Sequence, residues 1–398
     1  FQAEDGIRDV ERSRGLGDVY KRQDDSWGWK LKATKMFRRH RLKIGIEGNN
    51  LGYGGVDYEY TDQNYLIGPS GVDEPDQHEV IRLHSAFFSD RYSLLDNLDI
   101  YLGLRFDDYN ADGYSAAGIG GAHSDHFHRF SPKFGIYYHP ALNIGTFFTF
   151  ARTAKFPIVP KHYWYYVGLQ PGMCFGPPGR QQCYDFERPR LKYEEADQYE
   201  FGINYTGIRD TEISLKYYHY NVDNYLRWIF GYPMSRVVYN MDEVKIRGIE
   251  LAIDGRLYRD FYGYANWAWQ ETHIRGSILA DNSMSDLGFP ENKINFGLKY
   301  QPKKNCLAKI DFKYVDSREE AVGPIELKGW TAGPPGERPM DMPTLTSYWL
   351  VNVLVKYPVN DYGTVYVGCE NLLNENYEET YGFRMPERML YGGVEFKF

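Results

Sequence analysis

Nowhere in the 398 residues does an apolar run approach the ~18 residues that a spanning helix needs, which excludes a helical membrane protein. Cysteine is scarce, with four in the chain, so a disulfide framework does not hold this fold together. Charge of one sign is not in large excess either. Against 46 Lys and Arg stand 54 Asp and Glu, a net −8, which argues against a nucleic-acid-binding protein with its usual basic face. There is no HExxH, no GxSxG, no phosphate-binding glycine loop and no paired CxxC. No enzyme is expected, and no cofactor is implied.

Tyrosine and glycine are abundant instead: 36 Tyr, beside 23 Phe and 8 Trp, and 40 Gly. Tyrosine suits strands and the boundary between lipid and water. The first 23 residues stand apart. The run from Phe1 to Gln23 is highly charged, unlike the rest of the chain, and reads like the translation of a sequencing-library adapter. It is expected to be non-native and is set aside from fold reasoning, which leaves 24–398 as one unit.

From Trp27 onward the hydrophobic pattern has period two. Leu98, Ile100, Leu102, Leu104 and Phe106 alternate with Asp99, Tyr101, Gly103 and Arg105. Ile294, Phe296, Leu298 and Tyr300 alternate with Lys293, Asn295, Gly297 and Lys299. One face is greasy and the other wet, as in a half-buried strand. Fifteen such strands are predicted, at 27–36, 40–48, 79–92, 97–109, 126–139, 143–154, 194–206, 211–226, 243–257, 260–273, 291–301, 306–317, 344–357, 362–373 and 388–398. One shows a phase slip. Val244 and Ile246 keep one phase and Ile249, Leu251 and Ile253 the other, which predicts a bulge at Arg247-Gly248.

The links separate a membrane barrel from a soluble sandwich. Short ones (37–39, 93–96, 140–142, 207–210, 258–259, 302–305 and 358–361) alternate with long ones (49–78, 110–125, 155–193, 227–242, 274–290, 318–343 and 374–387). Tight turns at one rim and long loops at the other build an outer-membrane β-barrel, whereas a sandwich has no reason to keep that parity. The expected fold is therefore all-β, a transmembrane antiparallel barrel in the bacterial outer membrane. The last strand carries Phe396 and Phe398, an aromatic terminus that resembles the signal read by outer-membrane assembly machinery; the plainer account is the last strand closing the barrel, and the two are compatible.

Several segments resemble TonB-dependent receptors. VGCENLLNENYEETYGFRMPERMLYGGVEFKF is similar to that family's final hairpin, with Asn371-Leu372, Tyr377 and Pro386 in place. RFSPKFGIYYHPALNIGTFFTFARTAKFP resembles a mid-barrel hairpin ending at Phe156-Pro157. LKYEEADQYEFGINY and VKIRGIELAIDG resemble two further strands. The resemblance implies a barrel of about twenty-two strands around a folded plug. The fifteen here would be the last fifteen, so the chain is expected to be a C-terminal fragment, with its leader, plug and coupling box upstream. It also implies uptake of a scarce substrate, commonly a ferric siderophore, driven through the plug by an inner-membrane TonB complex. A passive porin or an adhesive barrel is the alternative.

Recognition is expected in the long loops. His162, Tyr163, Trp164, Tyr165 and Tyr166 cluster in the longest, Trp228, Phe230 and Tyr232 in another, and Trp330 in a third. Such rings could form a lipped pocket that stacks on a ring-bearing ligand; the alternative is an interfacial girdle with loop packing. Cys174 and Cys183 lie in a Gly/Pro-rich loop and form a disulfide candidate, while Cys306 and Cys369 read as small apolar residues. His123, His126 and His128, around Asp125, are the nearest approach to a metal cluster, with rim-facing histidines as the plainer account.

Overall fold

The computed structural model describes residues 22–55, 77–115, 121–157, 174–175, 182–183, 191–231, 235–276, 283–284, 288–303, 306–319, 344–360, 362–380 and 382–396. They contain strands, turns and irregular links but no helix. The sheet runs in chain order through fifteen antiparallel strands. These are β1 (Arg22–Phe37), β2 (His40–Gly55), β3 (Gln77–Leu95), β4 (Leu98–Ser115), β5 (Gly121–Ala141), β6 (Ile144–Lys155), β7 (Glu194–Tyr205) and β8 (Thr211–Gly231). The sheet continues through β9 (Ser235–Tyr258), β10 (Phe261–Arg275), β11 (Asn292–Lys303), β12 (Cys306–Val315), β13 (Tyr348–Pro358), β14 (Gly363–Glu370) and β15 (Met389–Phe396). Each expected strand is present. Among the described residues β1 and β15 share no ladder, so the sheet is an open barrel wall. β1 begins at Arg22, two residues inside the segment expected to be foreign; residues 1–21 lie outside the described residues.

Register carries one apolar face across the whole sheet. Ile44, Phe88, Leu104 and Pro132 stand in one cross-strand row. Phe148, Phe201, Tyr217, Ile249 and Trp269 form another. Phe296, Phe312 and Val351 form a third. These faces point away from the protein: Leu104 is 46% exposed, Phe201 47% and Leu298 49%. So wide an apolar surface is tolerated only against lipid. Aromatic residues edge the band on both sides, Tyr138, Phe261, Tyr300 and Tyr357 toward the short turns and Tyr199, Trp267 and Trp349 toward the long links.

The opposite, lumenal face is built of polar side chains, glycines and rings that lie over them. A Cβ on Gly45 would overlap the Phe87 ring, and one on Gly202 the Phe147 ring. Those rings come from the residues directly across the ladder. Each glycine is the absence of a side chain that makes room for an aromatic neighbour, and this accounts for part of the shared abundance of Gly and Tyr/Phe. At the short-turn rim Arg38, Asp210 and Arg259 adopt positive φ (50°, 55° and 45°), as tight reversals require.

Two expectations change. Links 227–242 and 110–125 are not long loops: β8 and β9 climb as a hairpin to 232–234, and β4 and β5 to 116–120. β9 has 24 residues, well beyond the ~9–11 that cross a bilayer, so its upper half stands above the membrane. The bulge at Arg247-Gly248 is absent, because the register with both neighbours runs straight through. The apolar phase changes because the environment does. Ile249, Leu251 and Ile253 lie on the lipid face, whereas Val244, higher up, turns inward between Val222 and Ile274. The irregularities of this hairpin lie elsewhere, at Asn224 (φ 54°) and between Arg256 and Tyr258.

Candidate functional site

The lumenal wall is held by charge networks. Arg105 is the hub of one: its Nη1 lies 2.6 Å from Glu47 and its Nε donates to Asp107 at 2.8 Å. Lys30 completes Glu47 at 2.6 Å, and Ser85 Oγ donates to Asp107 at 2.6 Å. The side chains of Glu47 and Asp107 are 13% and 7% exposed, so losing one partner would strand a shielded charge. Further along the same face Lys216 pairs with Glu250 at 2.8 Å and Lys309 with Asp311 at 2.9 Å. Tyr220 donates to Glu200 and Tyr264 to Asp311.

Two long links fold their roots onto this wall. Phe156 and Pro157, at the start of the link after β6, pack on the lumenal residues of β3–β5. Phe156 stacks on Tyr109 at 5.0 Å, and the Tyr109 hydroxyl donates to the Pro157 carbonyl at 2.9 Å. Ile81, Tyr109 and Ala111 form the core, with Leu51, Leu83 and Phe127 around it. The far end of the link returns to the same place: Tyr193 lies edge-on to Phe127 at 5.4 Å. Asn240 on β9 clamps the neighbouring backbone, accepting from Lys192 N at 2.8 Å and donating to Lys192 O at 3.0 Å.

The link between β14 and β15 behaves likewise. Tyr377 packs against Tyr348 as a tilted ring pair, centroids 4.5 Å apart, over the Val315–Tyr348–Leu350 core of β12 and β13. Burial, then the charges of Glu379 and Glu370, push the Tyr377 hydroxyl above its ordinary pKa, so it stays a neutral hydroxyl at any physiological pH. Asn371, with φ 51°, organises the turn. Its Oδ1 accepts from Glu375 N at 2.8 Å, and its Nδ2 donates to Glu375 O at 2.8 Å and Pro386 O at 3.3 Å. Between β10, β11 and β12 a rim cavity of about 450 Å³ is lined by Glu271, Glu291, Asp316 and Arg318 among others.

The structure places only some of the residues singled out from the sequence. His162, Tyr163, Trp164, Tyr165, Tyr166, Tyr232 and Trp330 lie outside the described residues. Trp228 is not in a loop but on β8, opposite Val238. Cys174 faces Cys183 directly in a two-residue antiparallel ladder, the position from which a disulfide could close. Cys306 and Cys369 are free thiols, Cys369 buried. Phe396 ends β15 opposite Gly363 and is exposed on the lipid face; Phe398 lies outside the described residues.

The metal-cluster expectation is corrected in its membership. His126 and His128 come together with Asp108 of β4, not with Asp125, which is buried, nor with His123, whose side chain lies outside the described residues. Sequence reasoning missed Asp108 because it is a cross-strand partner about twenty residues away, a relation that only the register of β4 and β5 creates.

This wall has counterparts among known proteins. A family model described as "TonB dependent receptor-like, beta-barrel" matches residues 3–372. Among solved structures, the chain resembles the ferric-catecholate import receptor Fiu from K12 E. coli with TM-score 0.67 and 14% identity, over 95% of this chain and 55% of that one. The copper transporter OprC gives 0.72 and 17%, over 95% and 57%. The siderophore receptor PiuA from Acinetobacter baumannii gives 0.68 and 15%, over 95% and 56%. The chain thus spans little more than half the length of these structures.

Proposed function

Because the chain belongs to the TonB-dependent receptor β-barrel family, proteins of the bacterial outer membrane, we propose that it is part of the wall of a receptor importing a scarce substrate, a ferric siderophore or similar metal chelate. The observation that carries this reading is the inward anchoring of two long links on a charged lumenal wall. Phe156-Pro157 and Tyr193 root one link, and Tyr377 roots the other. Links rooted on the inner side of the wall begin and end beside the lumen, through which a solute must pass. A ferric-catecholate import receptor and a siderophore receptor among the similar structures point to the substrate class.

In this reading His162, Tyr163, Trp164, Tyr165 and Tyr166, with Trp228, Tyr232 and Trp330, supply flat apolar surface for a chelate's rings. A plug domain would occupy the lumen against the Arg105 and Lys216 networks, and an inner-membrane TonB complex would supply the work. The test is uptake of iron-loaded siderophores by cells carrying the complete gene as their sole receptor, with and without TonB. Uptake that needs TonB, and that falls when 158–190 is replaced by a short turn, is expected. Uptake that persists without TonB would make the barrel a passive porin instead.

A further inference from the structure

We propose that the outer face of the barrel carries a binding site for a borderline divalent metal ion of the zinc class, built from Asp108, His126 and His128 with His84 as a fourth ligand. Nε2 of His126 lies 2.9 Å and Nδ1 of His128 3.0 Å from one oxygen, Oδ1 of Asp108. One ligand atom from each of the three residues falls within 4.8 Å of the others. The sheet imposes this arrangement. His126 and His128, two apart on β5, share a face, and Asp108 is the direct cross-strand partner of His128. His84 is the direct partner of Asp108 on its other side, and it is exposed on the same face. Three imidazoles and a carboxylate thus occupy one patch across three adjacent strands. Direct cross-strand neighbours stand about 4.5–5.5 Å apart at Cβ, within reach of one small ion after a side-chain rotation at His84.

The donor set selects the ion. Imidazole nitrogen with one carboxylate oxygen suits Zn²⁺, Ni²⁺ or Cu²⁺, whereas Ca²⁺ and Mg²⁺ take oxygen. The position separates this site from transport. The Phe106 ring stacks on His128 at 6.3 Å and packs on Phe130, the upper edge of the lipid-facing band. His126 and His128 continue that outward face roughly 7 Å beyond Phe130 per two residues of rise, at the level of lipid headgroups. The ion would sit outside the lumen, with any open coordination position turned toward water or headgroup phosphate. The proposal rests on the orientation of the sheet faces and not on the transport reading.

The experiment is Zn²⁺ titration by calorimetry of the complete receptor in detergent micelles, free of siderophore. One high-affinity Zn²⁺ is expected on this patch, not displaced by excess Mg²⁺. H126N/H128N should weaken it more than about 100-fold, beyond the usual effect of losing a residue that only orients a ligand, and H84N by about tenfold. Unchanged affinity in H126N/H128N overturns the site, as does displacement by Mg²⁺. Zinc-edge X-ray absorption on the unaltered receptor needs no variant to fold: a shell with two or more imidazoles supports the proposal, and an all-oxygen shell overturns it.

Discussion

The Tyr109 hydroxyl, on a side chain 1% exposed, holds the Pro157 carbonyl at 2.9 Å across 48 residues of chain. This bond and the stacked Phe156 ring fix the entrance of the longest link to the lumenal wall. Tyr109→Phe removes the donor and leaves a buried carbonyl without it, at a cost of about 1 kcal/mol. Tyr109→Ala also removes the ring on which Phe156 rests, for about 3–5 kcal/mol. Limited proteolysis of the purified barrel between 158 and 190 should quicken in that order. Equal cleavage rates in the parent and Tyr109→Ala would show that the link is anchored elsewhere.

Asn371 combines positive φ with three side-chain hydrogen bonds to backbone. Asn371→Ala should destabilise the last hairpin by about 2–4 kcal/mol, read as a lower urea midpoint in micelles. Asn371→Gly restores the backbone conformation but not the bonds, so it should recover roughly 1 kcal/mol of that loss. If Gly is no better than Ala, φ contributes nothing.

Gly202 lies under the Phe147 ring, which occupies the space that a Cβ would take. Gly202→Ala should cost about 1–3 kcal/mol through displacement of the ring. Phe147→Ala opens the space, so in the double variant the alanine at 202 should cost far less. Strict additivity of the two substitutions in urea unfolding would rule out this steric coupling.

Cys174 and Cys183 face each other in register. In the oxidising periplasm and beyond, this pair is expected to be oxidised. Peptide mapping without reductant should recover the two as one linked species, while Cys306 and Cys369 label as free thiols. Alkylation of all four cysteines would refute the pairing.

Much of the architecture was legible because a strand's two faces meet different solvents, and period-two alternation records that directly. The turns near Arg38, Asp210 and Arg259 were legible as breaks between alternating runs. Strand ends above the membrane were not. Once both faces of β8 and β9 leave lipid, alternation no longer reports the pairing, and Trp228 read as a loop residue although it stands in a ladder with Val238. For the same reason Val244 and Ile246 imitated a bulge. Their phase inverted because the apolar environment had moved from lipid to the inner side of the wall.

The sequence by itself determined that this chain is a sheet with one face for lipid and one for water, because each residue's polarity must match the side on which its Cβ emerges. Only the tertiary structure decided which residues meet across strands. Register is a relation between segments, and no local pattern encodes that His84, Asp108 and His128 share a row, that Phe147 covers Gly202, or that Tyr109 reaches Pro157.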